Sequence, residues 1–196
     1  MTSTTTTETQ KPRILIGVTG SVDAMLLPQY IRAIRAGLDC SMSVILTPDA
    51  ADFVNADSIG LIVERVISGE SPKDWPTDRP GRIAGDHDLM IVLPATANTL
   101  AAAASGTSQN RLTMLILVGV FPIMFFPVMG PTMWEKPVVR RNVARIREDG
   151  HEVIDPAWRE QYEPHYRRMY GHYTLPDPDV VLAHIKRKLG IARSES

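Results

Sequence analysis

Two short segments of this sequence place glycine, hydroxyl and amide side chains directly after apolar runs. Residues 94–100 (Pro-Ala-Thr-Ala-Asn-Thr-Leu) follow the run 89–93, and Thr-Gly-Ser at 19–21 follows the run 14–18. Each pattern is typical of a corner at which a strand ends and a helix begins. Helix N-termini present free N–H groups and a positive dipole end, which suit a phosphate or the polar edge of a ring. Two such corners in one short chain predict a nucleotide-like ligand.

The bulk composition describes an ordinary globular chain. Its 196 residues, 44% of them hydrophobic, suit one domain with a single core. A net charge of −1 gives no electrostatic support for a nucleic-acid partner. The single cysteine, Cys40, excludes an internal disulfide and a cysteine-based zinc cluster, and we predict no metal site. Cys40 is expected to be a small core residue, and the low cysteine content favours a reducing, cytoplasmic location.

Neither the N-terminal residues nor the uncharged segment in the middle of the sequence predicts a membrane protein. The threonine-rich residues 1–12 lack an apolar core and are predicted to form a disordered tail, not a signal peptide. The segment 112–134 has no charged residue, but it contains Pro122, Pro127 and Pro131. Each proline removes a backbone donor, which disfavours a membrane span. We interpret this segment as a buried helix end followed by a buried strand.

Hydrophobic periodicity along the chain predicts strands alternating with helices. Strands are predicted at 13–18, 42–46, 89–93, 121–126 and 152–154. Helices are predicted at 27–38, from 47 onward, and at 58–67, 99–105, 138–148 and 177–190, and residues 71–85 are predicted to form a loop. This alternation indicates a single α/β domain over 13–196: a three-layer, doubly wound parallel sheet of the Rossmann or flavodoxin type. Ligands of such sheets bind at the carboxyl ends of the strands, where both corners lie.

Two longer motifs carry a resemblance to a known family. Residues 94–99 match Pro-Ala-Ser-Ala-Asn-Thr with Thr96 in place of serine, and residues 127–134 match Pro-X-Met-Asn-X-X-Met-Trp with Gly130 in place of asparagine. In this order they resemble the flavin-dependent cysteine decarboxylases, which include phosphopantothenoylcysteine decarboxylase and the peptidyl-cysteine decarboxylases. The resemblance extends over residues 13–155, most of the predicted domain.

This resemblance implies FMN as the cofactor, lying across the strand ends. Its phosphate and ribityl chain would contact one group of residues: Thr19, Gly20, Ser21 and Thr47. The isoalloxazine edge would contact a second group: Ala95, Thr96, Ala97 and Asn98. Taken alone, residues 19–21 are equally well explained as a simple glycine-containing turn. Met129 and Gly130 would face the substrate.

Two positions depart from the family pattern. By this resemblance, Pro80 stands where the family has its histidine base, and His87 is the nearby candidate to replace it. Gly130 stands where the family's asparagine holds the substrate carboxylate, and glycine offers only a backbone N–H. A positioned general base contributes about 10²–10⁴-fold to a rate, so its loss implies a slower enzyme or a relocated base.

The segment 155–178 interleaves aromatic and arginine side chains. In the peptidyl branch this region is a mobile clamp that closes over the peptide's C-terminus, and Trp158, Arg159, Arg167 and Arg168 would then contact the substrate. The alternative is an amphipathic surface helix. No cysteine follows Cys40, which favours the oxidative peptidyl branch. Within it, the decarboxylases of linear dehydrated peptides (linaridins) such as cypemycin are the most similar type.

The implied reaction is oxidation of the C-terminal cysteine of a ribosomally made peptide. A hydride leaves Cβ for the flavin while the thiol loses its proton, and the resulting thioaldehyde allows CO₂ to depart, leaving an enethiol. The partners implied are a precursor peptide ending in cysteine and further copies of the chain, as a trimer or four trimers. Two alternatives stay open: a flavin-binding protein without catalytic activity and a flavin prenyltransferase.

Overall fold

A computed structural model describes residues 11–69, 71, 73 and 78–191 of the chain. Its main sheet is six-stranded and parallel, in the order β3-β2-β1-β4-β5-β6. The strands are β1 (Arg13–Val18), β2 (Ser41–Leu46), β3 (Arg65–Ile67), β4 (Leu89–Ala95), β5 (Ile123–Pro127) and β6 (Glu152–Val153). The strand order reverses between β1 and β4, which makes their carboxyl ends the topological switch point at which such sheets bind ligands.

Helices cover both faces of this sheet. They are α1 (Leu27–Gly37), α2 (Ala56–Gly60), α3 (Pro80–Gly85), α4 (Ala97–Ser105), α5 (Arg111–Val118), α6 (Pro131–Trp134), α7 (Pro137–Glu148) and α8 (Pro178–Lys188). Two short 3-10 turns, Val22–Leu26 and Pro48–Asp52, follow β1 and β2. The predicted three-layer, doubly wound α/β fold is therefore confirmed.

Successive side chains along the strands point to opposite faces of the sheet and contribute to two separate cores. Ile14 and Ile16 of β1 pack with α1 and α8 on one face, whereas Leu15 packs with α3, α4, α5 and α7 on the other. Residues on both faces are fully buried, so the central strands are continuous apolar runs, as parallel strands require. Burial of one such side chain contributes about 1.5–3 kcal/mol. The two cores hold the strand ends, and the turns that follow them, in fixed positions.

The predicted boundaries differ from the structure by one or two residues at several elements, and two further differences are larger or change the element. The helix predicted at 58–67 is wrong: α2 ends at Gly60, and residues Arg65–Ile67 form β3, because Val66 and Ile67 pair with β2 and are β-branched. Residues 72 and 74–77 of the loop predicted at 71–85 lie outside the described residues, and its last part is helical, since Pro80 opens α3 at the first helical position. The strand predicted at 121–126 is Ile123–Pro127.

The segment after β6 is not a helix. Residues Ala157–Glu163 (β7) and Arg168–Thr174 (β8) form an antiparallel hairpin, which we call the hairpin below. The alternative of an amphipathic surface helix is therefore wrong, because the bulky side chains Trp158, Tyr162 and Met169 follow a strand period and pair across the two strands.

Most of the predicted N-terminal tail, residues 1–10, lies outside the described residues. Lys11 and Pro12 belong to the folded domain: Lys11 pairs with Asp39 at 2.7 Å, and the Pro12 carbonyl accepts from the Ser41 N–H at 3.0 Å. Among the helices that the structure describes, none is both long and apolar enough to cross a membrane.

Candidate functional site

Thr19 joins the carboxyl ends of β1 and β4. Its hydroxyl donates to the Pro94 carbonyl at 2.9 Å and accepts from the Thr96 N–H at 3.1 Å. The side chain is almost fully buried, so both hydrogen bonds are protected from water. This joint fixes the two predicted corners relative to each other. The peptide bond between Leu93 and Pro94 is cis.

The two turns after β1 and β2 pack against one another beside this joint. Ser21 caps the first 3-10 turn by accepting from the Asp23 N–H at 3.4 Å, and Thr47 caps the second by accepting from the Ala50 N–H at 3.3 Å. Gly20 is required by this packing, because a Cβ atom there would lie 2.4 Å from the Cβ of Asp49. Glycine therefore lets the two turns approach closely enough to form one continuous surface.

The third side of the site is the N-terminus of α4. Thr96 caps this helix through the Thr99 N–H at 3.4 Å. The Asn98 amide donates to Gln109 at 3.3 Å, which holds its side chain near the start of α5. Asn110 caps α5 in a reciprocal capping box with Thr113. The N-termini of two helices therefore lie close together at this site; the polar residues of 94–100 predicted the first, and the second was not predicted.

These elements enclose a cavity of about 350 Å³, which we call the cradle. Its lining consists of Thr19, Gly20, Ser21, Thr47, Asp49, Thr96, Ala97, Asn98, Thr99, Asn110, Val128, Met129 and Met133. This volume is at the lower end of the range typical of small-molecule sites. The lining combines hydroxyl and amide side chains with an apolar part, Val128, Met129 and Met133, which we call the methionine wall. Such a cradle suits a flat ring system with a polar chain.

Most of the predicted contact residues line the cradle, but Ala95 does not. Ala95 is fully buried at the end of β4, where its side chain joins the core and its carbonyl accepts from the Val128 N–H at 3.1 Å. Asp49 and Asn110 were missed by the sequence reasoning. The asparagine directly before the apolar run of α5 is a capping signal that identifies Asn110. Asp49 faces the cradle only because Gly20 packs against it, which spacing in the sequence does not reveal.

A larger cavity, about 830 Å³, lies along α8 and Ile191. Its lining includes Val180, Leu182 and Ala183 and comes almost entirely from one helix face. The cradle is instead formed by six separate segments at the switch point, with polar groups that converge. We therefore assign the functional site to the cradle, despite its smaller volume.

The apolar wall of the cradle connects to the hairpin. Met129 donates its N–H to the Tyr173 carbonyl at 3.1 Å, which makes an antiparallel bridge between the two segments. Tyr173 also packs against Trp134 of α6 and Trp158 of β7, with ring centroids 6.0 and 5.1 Å apart. Gly130, between the lining residues Met129 and Met133, is half-buried at the start of α6.

The arginines of the hairpin do not approach Gly130. Arg159 pairs with Asp177 at 2.7 Å, on the strand face opposite to Trp158. Arg167 occupies the turn with φ of +50°, and Arg168 stacks beside Tyr170. Arg168 and Tyr173 are five residue steps apart along the extended strand, a length of about 17 Å. In this arrangement the three arginines therefore lie away from Gly130, and their contact with a substrate carboxylate stays a prediction.

His87 and the cradle lie at opposite ends of β4. His87 precedes the strand and Thr96 follows it, so the seven-residue strand, about 20 Å long, lies between them. The His87 ring is buried, and its Nδ1 donates to the Ile83 carbonyl at 2.7 Å. Burial lowers its pKa below the ordinary 6.5. Within one chain neither His87 nor Pro80 lines the cradle, and a role of His87 as the replacement base stays a prediction.

Other titratable groups also have clear structural roles. Burial raises the pKa of the Cys40 thiol to about 11, which keeps it protonated and unreactive. Among the described residues, no group of three or more histidine, cysteine, aspartate and glutamate side chains is arranged to hold a metal ion. Among the described residues that line the cradle, Asp49 carries a carboxylate. Its carboxylate suits hydroxyl donors and opposes an anion placed beside it.

Comparison with known proteins identifies one matching family and several similar decarboxylases. The Flavoprotein family matches residues 2–176. The mersacidin decarboxylase of Bacillus sp. (strain HIL-Y85/54728) is 33% identical over 147 residues, which cover 74% of each chain. Among solved structures, a complex of EpiD with the substrate peptide DSYTC has a TM-score of 0.80 at 25% identity, covering 90% of this chain and 99% of that one. The FMN-dependent cysteine decarboxylase SpaF has a TM-score of 0.73 at 26% identity, covering 91% and 97%.

Proposed function

Since the chain belongs to the Flavoprotein family, we propose that it oxidatively decarboxylates the C-terminal cysteine of a ribosomally made peptide, giving an enethiol. Its cofactor is FMN. The proposal is supported above all by one observation: both predicted corners and a methionine wall enclose a single cradle, and the hairpin is bonded to that wall. A likeness to peptidyl-cysteine decarboxylases adds to this support.

The cradle residues fit FMN in shape and donor chemistry. Gly20 lets the turns after β1 and β2 pack into one surface, on which Ser21, Thr47 and Asn98 would supply hydroxyl and amide groups to a phosphate, a ribityl chain and a ring edge. When bound, FMN would accept the hydride that leaves the cysteine Cβ. Met129 and Met133 would exclude water from the ring face.

The chain's own residues would handle the peptide. The hairpin would cover the C-terminal cysteine, with the aromatic side chains Trp158 and Tyr173 against the peptide. Loss of the hydride from Cβ and of the proton from sulfur makes a thioaldehyde, and departure of CO₂ then returns an electron pair that forms the C=C bond of the enethiol. With no histidine at the cradle in the described chain, the thiol proton would pass to solvent or to the substrate itself. We therefore expect slow turnover.

A direct assay tests this function. The purified, FMN-loaded protein is incubated with a synthetic peptide ending in cysteine, and mass spectrometry detects the loss of CO₂ and two hydrogen atoms. Matched peptides ending in serine or in a cysteine amide are the controls, because the first lacks the thiol and the second lacks the carboxylate. Turnover of the cysteine peptide alone supports the proposal. Equal absence of product from all three peptides contradicts it.

A second candidate is a flavin-binding partner without catalytic activity. Two observations favour it: Pro80 stands at the family's histidine position, and Gly130 lacks the asparagine amide. Such a protein would retain FMN and bind the precursor peptide, yet leave it unchanged in the same assay. The flavin prenyltransferase alternative is less well supported, since the chain keeps the Met133-Trp134 pair and carries the hairpin.

The proposal also includes self-association of the chain through exposed apolar residues. The uncharged segment 112–134 is mostly internal, since Leu112, Leu115 and Ile116 belong to the chain's own core. Leu117 and Val118 at the end of α5 and Val120 just after it are exposed, and Val120 is 98% exposed. We propose that a second copy of the chain covers them in a trimer or in four trimers. Sedimentation velocity should show species larger than the 21.7 kDa chain, and Val120→Asp should dissociate them.

Finer assignments follow from the sequence resemblance. We propose a cytoplasmic enzyme of the type that acts on linear dehydrated peptides such as the cypemycin precursor. A comparison of a linear peptide with a lanthionine-bridged peptide of the same C-terminal residues tests this assignment. Faster turnover of the linear peptide is expected, and preference for the bridged one would contradict it.

A further inference from the structure

The base of the hairpin is bonded to the turn that follows β1. Thr174, the last residue of β8, donates its hydroxyl to the Asp23 carboxylate at 2.5 Å, and the Leu175 N–H approaches the same oxygen at 3.5 Å. Thr174 is buried, so little water competes for this hydrogen bond. A hydrogen bond to a charged acceptor is shorter and stronger than one between neutral groups.

Asp23 belongs to the same turn as the cradle residue Ser21. The Asp23 N–H donates to the Ser21 hydroxyl at 3.4 Å, and the Ala24 N–H donates to the Ser21 carbonyl at 2.9 Å. Three linked groups therefore connect the cradle surface to the hairpin: the Ser21 hydroxyl, the Asp23 backbone and carboxylate, and the Thr174 hydroxyl. Any restraint on Ser21 is transmitted to the position of the carboxylate.

Consecutive residues of β8 contact two segments that contribute to the cradle. Tyr173 accepts from the lining residue Met129, and Thr174 donates to Asp23, two residues after the lining residue Ser21. The base of the hairpin is therefore bonded to both segments. Its far part is open to solvent, since Tyr162 is 60% exposed and Met169 is 56% exposed.

Two further contacts hold the same end of the hairpin without involving the cradle lining. Tyr30 of α1 donates to the Pro176 carbonyl at 2.7 Å, and Arg159 pairs with Asp177 at 2.7 Å. These contacts hold the base of the hairpin whether or not the cradle is filled. They provide a comparison for the contact made by Asp23.

We propose that Asp23 is a positioning residue that couples occupancy of the cradle to the placement of the hairpin. A ligand on the turn 19–21 restrains Ser21, and the restrained turn holds the Asp23 carboxylate in place for Thr174. Because such coupling is reciprocal, a docked hairpin strengthens retention of the cofactor by the same factor. This inference rests on the proposed function, in which FMN fills the cradle and the hairpin covers the peptide.

Backbone hydrogen exchange, followed by mass spectrometry, tests the coupling on the full-length protein with FMN and after removal of the flavin. In the parent, FMN should slow exchange in residues 168–174 about fivefold or more, at the lower end of typical coupling strengths. Asp23→Asn and Thr174→Val should each bring this ratio close to one. Thr174→Ser should restore it, because serine keeps the hydroxyl donor. Combining Asp23→Asn with Thr174→Val should add nothing further.

Asp177→Asn is the matched control. It weakens the base of the hairpin at a site away from the cradle, so exchange should rise equally with and without FMN and the ratio should stay at its parental value. A parental ratio in both Asp23→Asn and Thr174→Val would overturn the coupling. If Asp23→Asn does not fold, the Thr174→Val and Thr174→Ser pair decides alone. Failure of the underlying function has a different signature, because FMN would then leave exchange in residues 19–21 and 96–98 unchanged.

Discussion

Trp158 lies across Gly171 so closely that a Cβ atom on Gly171 would be 2.0 Å from Cζ2 of the indole. The two residues are diagonal neighbours on one face of the hairpin, since Trp158 pairs with Tyr173 and Gly171 pairs with Glu160. Gly171 is therefore required for space: its bare backbone is the surface on which the indole lies. The same indole packs edge-on against Tyr173, next to the methionine wall of the cradle.

Gly171→Ala should displace Trp158 and reduce peptide turnover. A methyl group cannot occupy the space of the indole, so Trp158 must move away from Tyr173, and a displacement of about 1 Å in a positioning group can cost up to about 10²-fold in rate. We expect at least about a tenfold loss of activity with unchanged FMN content. Tryptophan fluorescence should report the displacement. Gln161→Ala, on the opposite face of β7, is the control, and equal rates in both variants would contradict the role of Trp158.

Gly130→Asn should be tolerated by the fold. A Cβ atom at Gly130 meets nothing within 4 Å, and its φ of −61° is accessible to every residue. The added amide would stand where the family holds the substrate carboxylate, and a hydrogen bond to a charged group contributes about 1.5–3 kcal/mol. Turnover of the cysteine peptide should therefore rise about tenfold or more. Gly130→Ala changes the backbone without supplying an amide, and a similar gain in that variant would exclude the carboxylate explanation.

His87→Asn should change the pH dependence of stability and leave turnover unchanged. The pKa of His87 is lowered by burial, so the unfolded chain binds its proton more readily than the folded one. The stability contributed by the neutral ring is therefore present above the unfolded pKa near 6.5 and is lost as the pH falls below it. Thermal unfolding at about pH 7.5 and 5.5 measures this loss, which should be smaller in the variant. A large drop in turnover would show that His87 serves the chemistry after all.

The sequence predicted the elements whose signals are local and continuous. β1 and β4 are apolar runs buried on both faces, and each ends in residues that cap the next turn or helix, such as Ser21 and Thr96. The short strand Arg65–Ile67 escaped prediction because three residues cannot show a period, and its identity depends on pairing with β2. Register and pairing are tertiary properties that override local pattern.

The site was predictable to a similar degree. Thr19, Thr47 and Asn98 follow directly from the strand-end rule and line the cradle. Asp49 lines the cradle because two turns pack closely, which the sequence does not reveal. The hairpin was not predicted either, because it depends on pairing between two strands and the arginines interleaved in them hide the strand pattern. The position of His87 relative to the cradle also became clear only with the strand direction, since a buried strand lies between them.

Thr19→Val tests whether the joint between β1 and β4 holds the cofactor. Valine has nearly the same shape as threonine, but it leaves the Pro94 carbonyl without its hydroxyl donor and the Thr96 N–H without its acceptor. An unsatisfied buried group costs about 1–3 kcal/mol, and a loss of 1 kcal/mol lowers the melting temperature of a chain this size by about 2–4 °C. The two corners should also separate slightly, which weakens the fit of FMN between them.

We therefore expect Thr19→Val to melt earlier and to bind FMN less tightly, by about tenfold, as measured by quenching of flavin fluorescence. Thr19→Ser keeps the hydroxyl and should retain most of the parental affinity, so the pair separates the hydrogen bonds from the methyl group. Ser43→Ala, on β2 away from the cradle, controls for a general loss of stability. If Thr19→Val melts earlier yet binds FMN as tightly as the parent, the cofactor does not depend on this joint and the cradle assigned to it is wrong.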